Sequence, residues 1–204
     1  PCEKFEKEEL FKYIELTCSM EEDFIIAAES NLNLQDDELN FLKANFNFGN
    51  IVKNNWDKFG SIEFLNDHIE HNFSHKFSDL IDFFEERVKD DYFNELFERY
   101  LRFIFKLLNL VTQLYKEKAN KRSEHLHSLI NKHLEKEYIN LTLSQKAIMI
   151  IKSVRGVDCV LVGSRKEKYV EDVKSLLNNQ RTKHYAEILS TIQEEVSKEI
   201  DNLT

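Results

Sequence analysis

Hydrophobic residues recur at intervals of three and four along most of this chain, the period of an amphipathic helix. Residues 3–17 place Phe5, Leu10, Tyr13, Ile14 and Leu16 at roughly that spacing. Residues 21–30 predict a second helix whose first turn is acidic, where the macrodipole favours negative charge. Residues 31–60 are Asn-rich, with "ANFNFGN" and "KFGS", and predict loops with short helices. After the break at Gly60, Ile62, Leu65, Ile69, Phe73, Phe77, Leu80, Ile81 and Phe84 form one apolar stripe. The next helix, over about 91–118, is apolar nearly all round and suits the centre of a bundle. Another is predicted near 122–136, then a turn at "EYINLT", and finally an amphipathic helix over 182–202 with Ile188, Ile192, Val196 and Ile200 on one side.

One stretch, 141–178, departs from this pattern. Thr142 and Gln145 stand three apart, a capping box that opens a helix. Ala147, Ile148, Ile150, Ile151 and Val154 read as its inward face, and Gly156 is placed to end it. The run "CVLV", 159–162, is short and wholly apolar, as expected of a strand buried on both faces. Gly163-Ser164 forms the turn, Ser164 and Glu167 make a second capping box, and Arg165 stands at the helix start. Gly163 permits close backbone approach, the N–H groups after Ser164 point out of the helix N-terminus, and Arg165 can grip a phosphate with two bonds. The expected chemistry is anion binding.

Composition agrees with a mostly helical chain: four Gly and one Pro in 204 residues are too few for a sheet-rich fold with many turns. The net charge is −9, yet residues 141–180 hold seven basic and four acidic residues, a local excess of cations. The acidic remainder argues against non-specific nucleic-acid binding. Cys2, Cys18 and Cys159 make neither a CxxC nor an even set, which points to a reducing compartment, cytoplasm or organelle matrix. The most apolar run, "YLRFIFKLLNLV", is interrupted by Arg102, Lys106 and Asn109 and does not read as a membrane span. No signal peptide is visible and the first residue is Pro, so the chain reads as a processed product, a fragment or a partial polypeptide.

The segment "LSQKAIMIIKSVRGVDCVLVGSRKEKYVEDVKSLL" resembles the last helix–strand–helix unit of the aldo/keto reductases, in its "VLVGSR" strand and turn and its "YVED" helix above all. That family is a (β/α)₈ barrel that reduces carbonyls with NADPH, and a subgroup carries a long helical insertion before this unit, a loose counterpart of 5–140. The sharp match covers about 38 of 204 residues. The resemblance implies that Ser164 and Arg165 hold the 2′-phosphate of NADP, that Gly163 leaves room for the ribose phosphate, and that Glu171 and Asp172 lie by the adenine. Position 172 is Asp where many members have Asn. The family's Asp, Tyr, Lys and His tetrad sits on early barrel strands that have no counterpart here, and such a barrel needs ~250 residues.

The expectation is therefore a mainly α fold: a helical bundle region over 1–140, an aldo/keto reductase-like terminal unit over 141–180 and a C-terminal amphipathic helix over 181–204. Its one short strand resembles the terminal β/α unit of a TIM-type barrel. Two functions follow. In the first, the chain is the C-terminal portion of an NADP-dependent oxidoreductase, not catalytic alone, and a carbonyl reductase only when other barrel strands complete it. In the second, it is a non-catalytic helical scaffold derived from such a reductase. The first requires a partner chain or barrel segment to cover Val160, Leu161 and Val162; in the second they are covered by a partner or by the chain's own helices, with no nucleotide bound. Elsewhere, His68, His71 and His75 share a helical face, but two turns span ~10 Å, too far for one tetrahedral metal. They read as a polar surface, as do His125, His127 and His133; Trp56 reads as a packing anchor or interface residue, and Cys159 as a small buried hydrophobe.

Overall fold

The computed structural model describes residues 7–163, 167–176 and 181–201. These residues form helices and connecting turns, with no strand among them, and the chain divides into two compact units, 1–119 and 120–204.

The first unit contains α1 (Lys7–Asn31), α2 (Asp36–Asn45), α3 (Phe48–Asn55), α4 (Ile62–His68), α5 (Ser74–Arg87) and the first part of α6 (Asp91–Asn131), with a π-helical turn, Ile69–Phe73, between α4 and α5. The two helices expected over 3–30 are one. The polar stretch at 17–20 does not break it, because the Thr17 hydroxyl donates to the Tyr13 carbonyl one turn back and is itself fully buried. Likewise α6 runs unbroken through 119–122, where Ala-Asn-Lys-Arg offers neither Gly nor Pro to stop it.

Aromatic rings fill this unit's core. Phe24 stacks on Phe46 at 4.3 Å, Phe46 on Tyr100 at 4.0 Å, Phe84 on Phe97 at 3.9 Å and Phe48 on Phe77 at 4.2 Å. The stripe expected over 62–84 does face inward at Leu65, Phe73, Leu80 and Phe84. The π-turn adds one residue to the helical repeat there, and both the backbone N–H and the hydroxyl of Ser74 reach the Ile69 carbonyl. Trp56 packs edge-on to Phe11 at 5.2 Å, with the Lys7 ammonium 5.0 Å from its ring.

Helices α1 and α3 approach closely at Gly49. A Cβ placed on Gly49 would lie 2.9 Å from the Cys18 backbone nitrogen and 3.0 Å from the Thr17 methyl carbon. Glycine there is a packing requirement.

The second unit contains the remainder of α6, a 3₁₀ turn at Lys136–Tyr138, α7 (Leu143–Ser153), α8 (Glu167–Lys174) and α9 (Tyr185–Asp201). Its core is small: Ile130, Leu134, Tyr138, Met149, Ile150 and Ile188, flanked by Leu141, Leu143, Tyr185 and Ile192. One cluster thus joins the end of α6, α7 and α9. Polar bonds set the entry to α9. Glu135 accepts from the Thr182 hydroxyl at 2.8 Å and the Lys183 N–H at 3.0 Å, and the Ser153 hydroxyl accepts from the Thr182 N–H at 2.8 Å.

Replacing Gly49 by Ala should destabilise the first unit by about 1–3 kcal/mol through overpacking, although Ala is favoured over Gly by up to ~1 kcal/mol in an open helix. Urea unfolding followed by tryptophan fluorescence and circular dichroism checks the sign; a more stable variant would show that the α1–α3 contact gives way easily.

Candidate functional site

The helix expected from Thr142 forms as read. The Thr142 hydroxyl accepts from the Gln145 N–H at 3.2 Å, and the Gln145 side-chain oxygen accepts from the Thr142 N–H at 2.9 Å. Past its end, Gly156 adopts φ +89°, a left-handed conformation that favours glycine. The buried face differs from the one predicted. Gln145, Lys146, Met149, Ile150 and Ser153 point inward, while Ile151 is 47% exposed. Three polar side chains displace apolar ones because each finds partners for its polar atoms.

The Gln145 amide donates to the Asp172 carbonyl at 2.9 Å and the Ser175 hydroxyl at 2.8 Å, and the Thr142 hydroxyl donates to the Asp172 carboxylate at 3.2 Å. These bonds tie α8 to the start of α7. Asp172, expected beside adenine, therefore spends one carboxylate oxygen on Thr142. Glu171 is exposed and pairs with Lys174 at 3.2 Å. Gly163 is exposed, with nothing within 4 Å of the place a Cβ would take. Ser164 and Arg165, the expected phosphate ligands, lie outside the described residues, and with them the second capping box.

The expected strand is not formed. Residues 159–162 have no regular structure; Leu161 is 93% exposed, Val162 41%, and Val160 is half-buried. Cys159 is exposed rather than buried. The reason is physical: a strand needs a neighbour for its backbone groups, and no second strand exists among the described residues. Without one, the segment stays at the surface, where water serves those groups.

The sequence reading passed over two buried polar clusters. In the second unit Lys146 is completely buried, and its ammonium donates to the Asn131 side-chain oxygen at 2.8 Å, the Ile139 carbonyl at 2.7 Å and His127 Nδ1 at 2.9 Å. His127 is thereby held with Nδ1 as acceptor, not left as a solvated surface group. Burial lowers the Lys146 pKa, and burial together with the Lys146 charge lowers that of His127. With all three N–H groups engaged, this lysine positions the end of α6 rather than offering a free amine to a substrate. The signal was present: Lys146 stands three after Leu143 and four before Ile150, inside the apolar stripe.

In the first unit Glu21 is 2% exposed and accepts from the Gly49 N–H and the Tyr100 hydroxyl, each at 2.7 Å. The carboxylate caps α3 from α1, since Asn47, the residue at the N-cap of α3, uses its own side chain to accept from Lys76. Burial pushes the Glu21 pKa up to about 7 against the lowering effect of those bonds. Burial and the nearby Glu21 charge raise the Tyr100 pKa well above normal.

The His68, His71 and His75 face holds no metal cluster: among the described residues no three His, Cys, Asp or Glu side chains are grouped to bind one. His68 Nδ1 lies 2.8 Å from the Asn72 amide, and His71 Nδ1 lies 3.0 Å from the Asp67 carbonyl. No described helix is long and apolar enough to cross a membrane. No family model, curated protein or solved structure matches the chain.

Because the folded-state pKa of Glu21 is raised from about 4.5 to about 7, its contribution to stability is complete below the lower value and is lost as pH rises through the upper one. That contribution is about 3 kcal/mol between pH 4.5 and 8. Glu21→Gln keeps an acceptor for Gly49 and removes the titration. Urea unfolding of both proteins at pH 5 and 8 should show the wild type losing stability relative to the variant at pH 8. An equal pH response of the two would mean that the carboxyl titrates normally.

Proposed function

We propose that the chain acts by association, as the C-terminal portion of an aldo/keto reductase-like, NADP-dependent oxidoreductase. In this reading residues 159–162 add as a strand to a sheet carried by another chain or barrel segment. Gly163, Ser164 and Arg165 then present the 2′-phosphate side of the cofactor site, with Glu171 and Asp172 beside the adenine. The chain holds no counterpart of the family's tetrad and does not transfer hydride alone.

One observation carries the reading: an apolar, β-branched, exposed run stands between α7, with its Thr142–Gln145 cap, and α8. An apolar segment with unpaired backbone and a 93%-exposed leucine is a surface made to be covered. The order helix, apolar run, glycine, helix is also the order of the "VLVGSR" resemblance.

A second reading rests on Asp172. Its carboxylate and carbonyl are both bonded to the start of α7, which gives the residue a structural role that needs no nucleotide. On that basis the unit survives as a non-catalytic scaffold that uses the same apolar run to join a larger assembly.

NADPH fluorescence titration of the chain and of Arg165→Ala separates the two. The oxidoreductase reading expects binding that discriminates against NADH and loses that preference in the variant. Absence of binding at about millimolar NADPH, the weak end of specific affinities, would leave only the scaffold. For either reading, amide exchange of Val160, Leu161 and Val162 should be unprotected in the isolated chain, and protection there would remove the surface on which both depend.

A further inference from the structure

The geometry points to a binding site for a small carboxylate with an aromatic tail in the first unit, where the π-turn faces α3. A cavity of about 410 Å³ lies there, whose lining combines apolar residues, Phe59, Phe64 and Phe73 among them, with Lys58, Lys76 and His68. That volume is within the range of small-molecule pockets, and an apolar wall with a few polar groups is their usual composition.

Two features select the ligand. The lining contains two lysines, a histidine and two asparagines but no Asp or Glu, on a chain with 37 acidic residues and a net charge of −9. Three carbonyls near the end of α3, where free ones would repel an anion, are already engaged: Ile51 accepts from the Asn55 amide, Val52 from the Trp56 N–H and Asn55 from the Lys58 N–H. Lys58 is exposed and has no ion-pair partner among the described residues. Lys76 spends two of its donors on the Ala44 carbonyl and the Asn47 side chain, which fixes its position and leaves a third.

The aromatic preference comes from the walls. His68 is held between rings, 5.4 Å from Phe59 and 5.1 Å from Phe73 by centroid, and the Phe64 ring is 58% exposed. A ring entering against Phe64 would find edge and face contacts at the spacings aromatic pairs favour. The π-turn supplies the local geometry. Phe73 lies in the core, and Asn72 stays at the surface with its amide 2.8 Å from His68 Nδ1, four residues back.

The test uses 4-phenylbutyrate and its neutral amide, followed by Trp56 fluorescence and by amide shifts of residues 58–76. The expected result is saturable binding of the acid, with shifts at Phe64 and Asn72. The amide should bind about three- to fivefold more weakly, the worth of an exposed ion pair. Lys58→Gln, a change at an exposed side chain, should reduce that difference, leaving only the Lys76 share, while the thermal midpoint stays unchanged. Equal affinity for acid and amide, indifference to Lys58→Gln, or no shift in the 58–76 amides at about 10 mM ligand, beyond any specific affinity, would each overturn the assignment.

Discussion

The first unit is organised around a carboxylate that has almost no contact with water. Glu21 reaches from α1 to the start of α3 and to the tyrosine on α6, and the phenylalanine stack closes around that junction. Taking a carboxylate out of water is expensive, and the two short bonds only partly offset it, which is why its proton affinity rises. Breaking the arrangement is worse than never making it. A leucine at position 21 would leave the Gly49 N–H and the Tyr100 hydroxyl unpaired, each at about 1–3 kcal/mol. Gly49 is bound into the same logic, because α3 must come close to α1 for the carboxylate to reach its first turn.

The second unit meets a similar problem with the opposite charge. There a lysine on α7 collects acceptors at the end of α6 and from the turn that follows, and a cation suits the carbonyl end of a helix. Six buried apolar residues are a small core, so polar bonds carry much of the specification. The Glu135–Thr182 and Ser153–Thr182 links fix the entry to α9, and Gln145 and Thr142 fix α8. The segment from α7 to α8 is therefore held at its helices and left open at residues 159–162.

Helix periodicity was legible because it is a local property: the stripe over 62–84, the Thr142–Gln145 box and the turn at Gly156 all follow from neighbours in sequence. The limits of α1 and α6 were not, since a polar stretch ends a helix only if its side chains prefer another partner, and Thr17 finds one within the helix. The strand at 159–162 failed for the converse reason: β-structure is a property of pairs, and local β propensity supplies only one member. Glu21 reads as a first-turn acid and Lys146 as an interruption of an apolar stripe until their partners, 28 and 79 residues away for Glu21, are brought alongside.

Burial also governs the chemistry open to Lys146. An amine reacts with acylating agents through a free nitrogen lone pair, and this nitrogen has no exposed surface and three committed N–H groups. Acetylation or labelling at this position must wait for the second unit to open. Its rate therefore measures how often that unit breathes, while exposed lysines such as Lys58 report only the reagent.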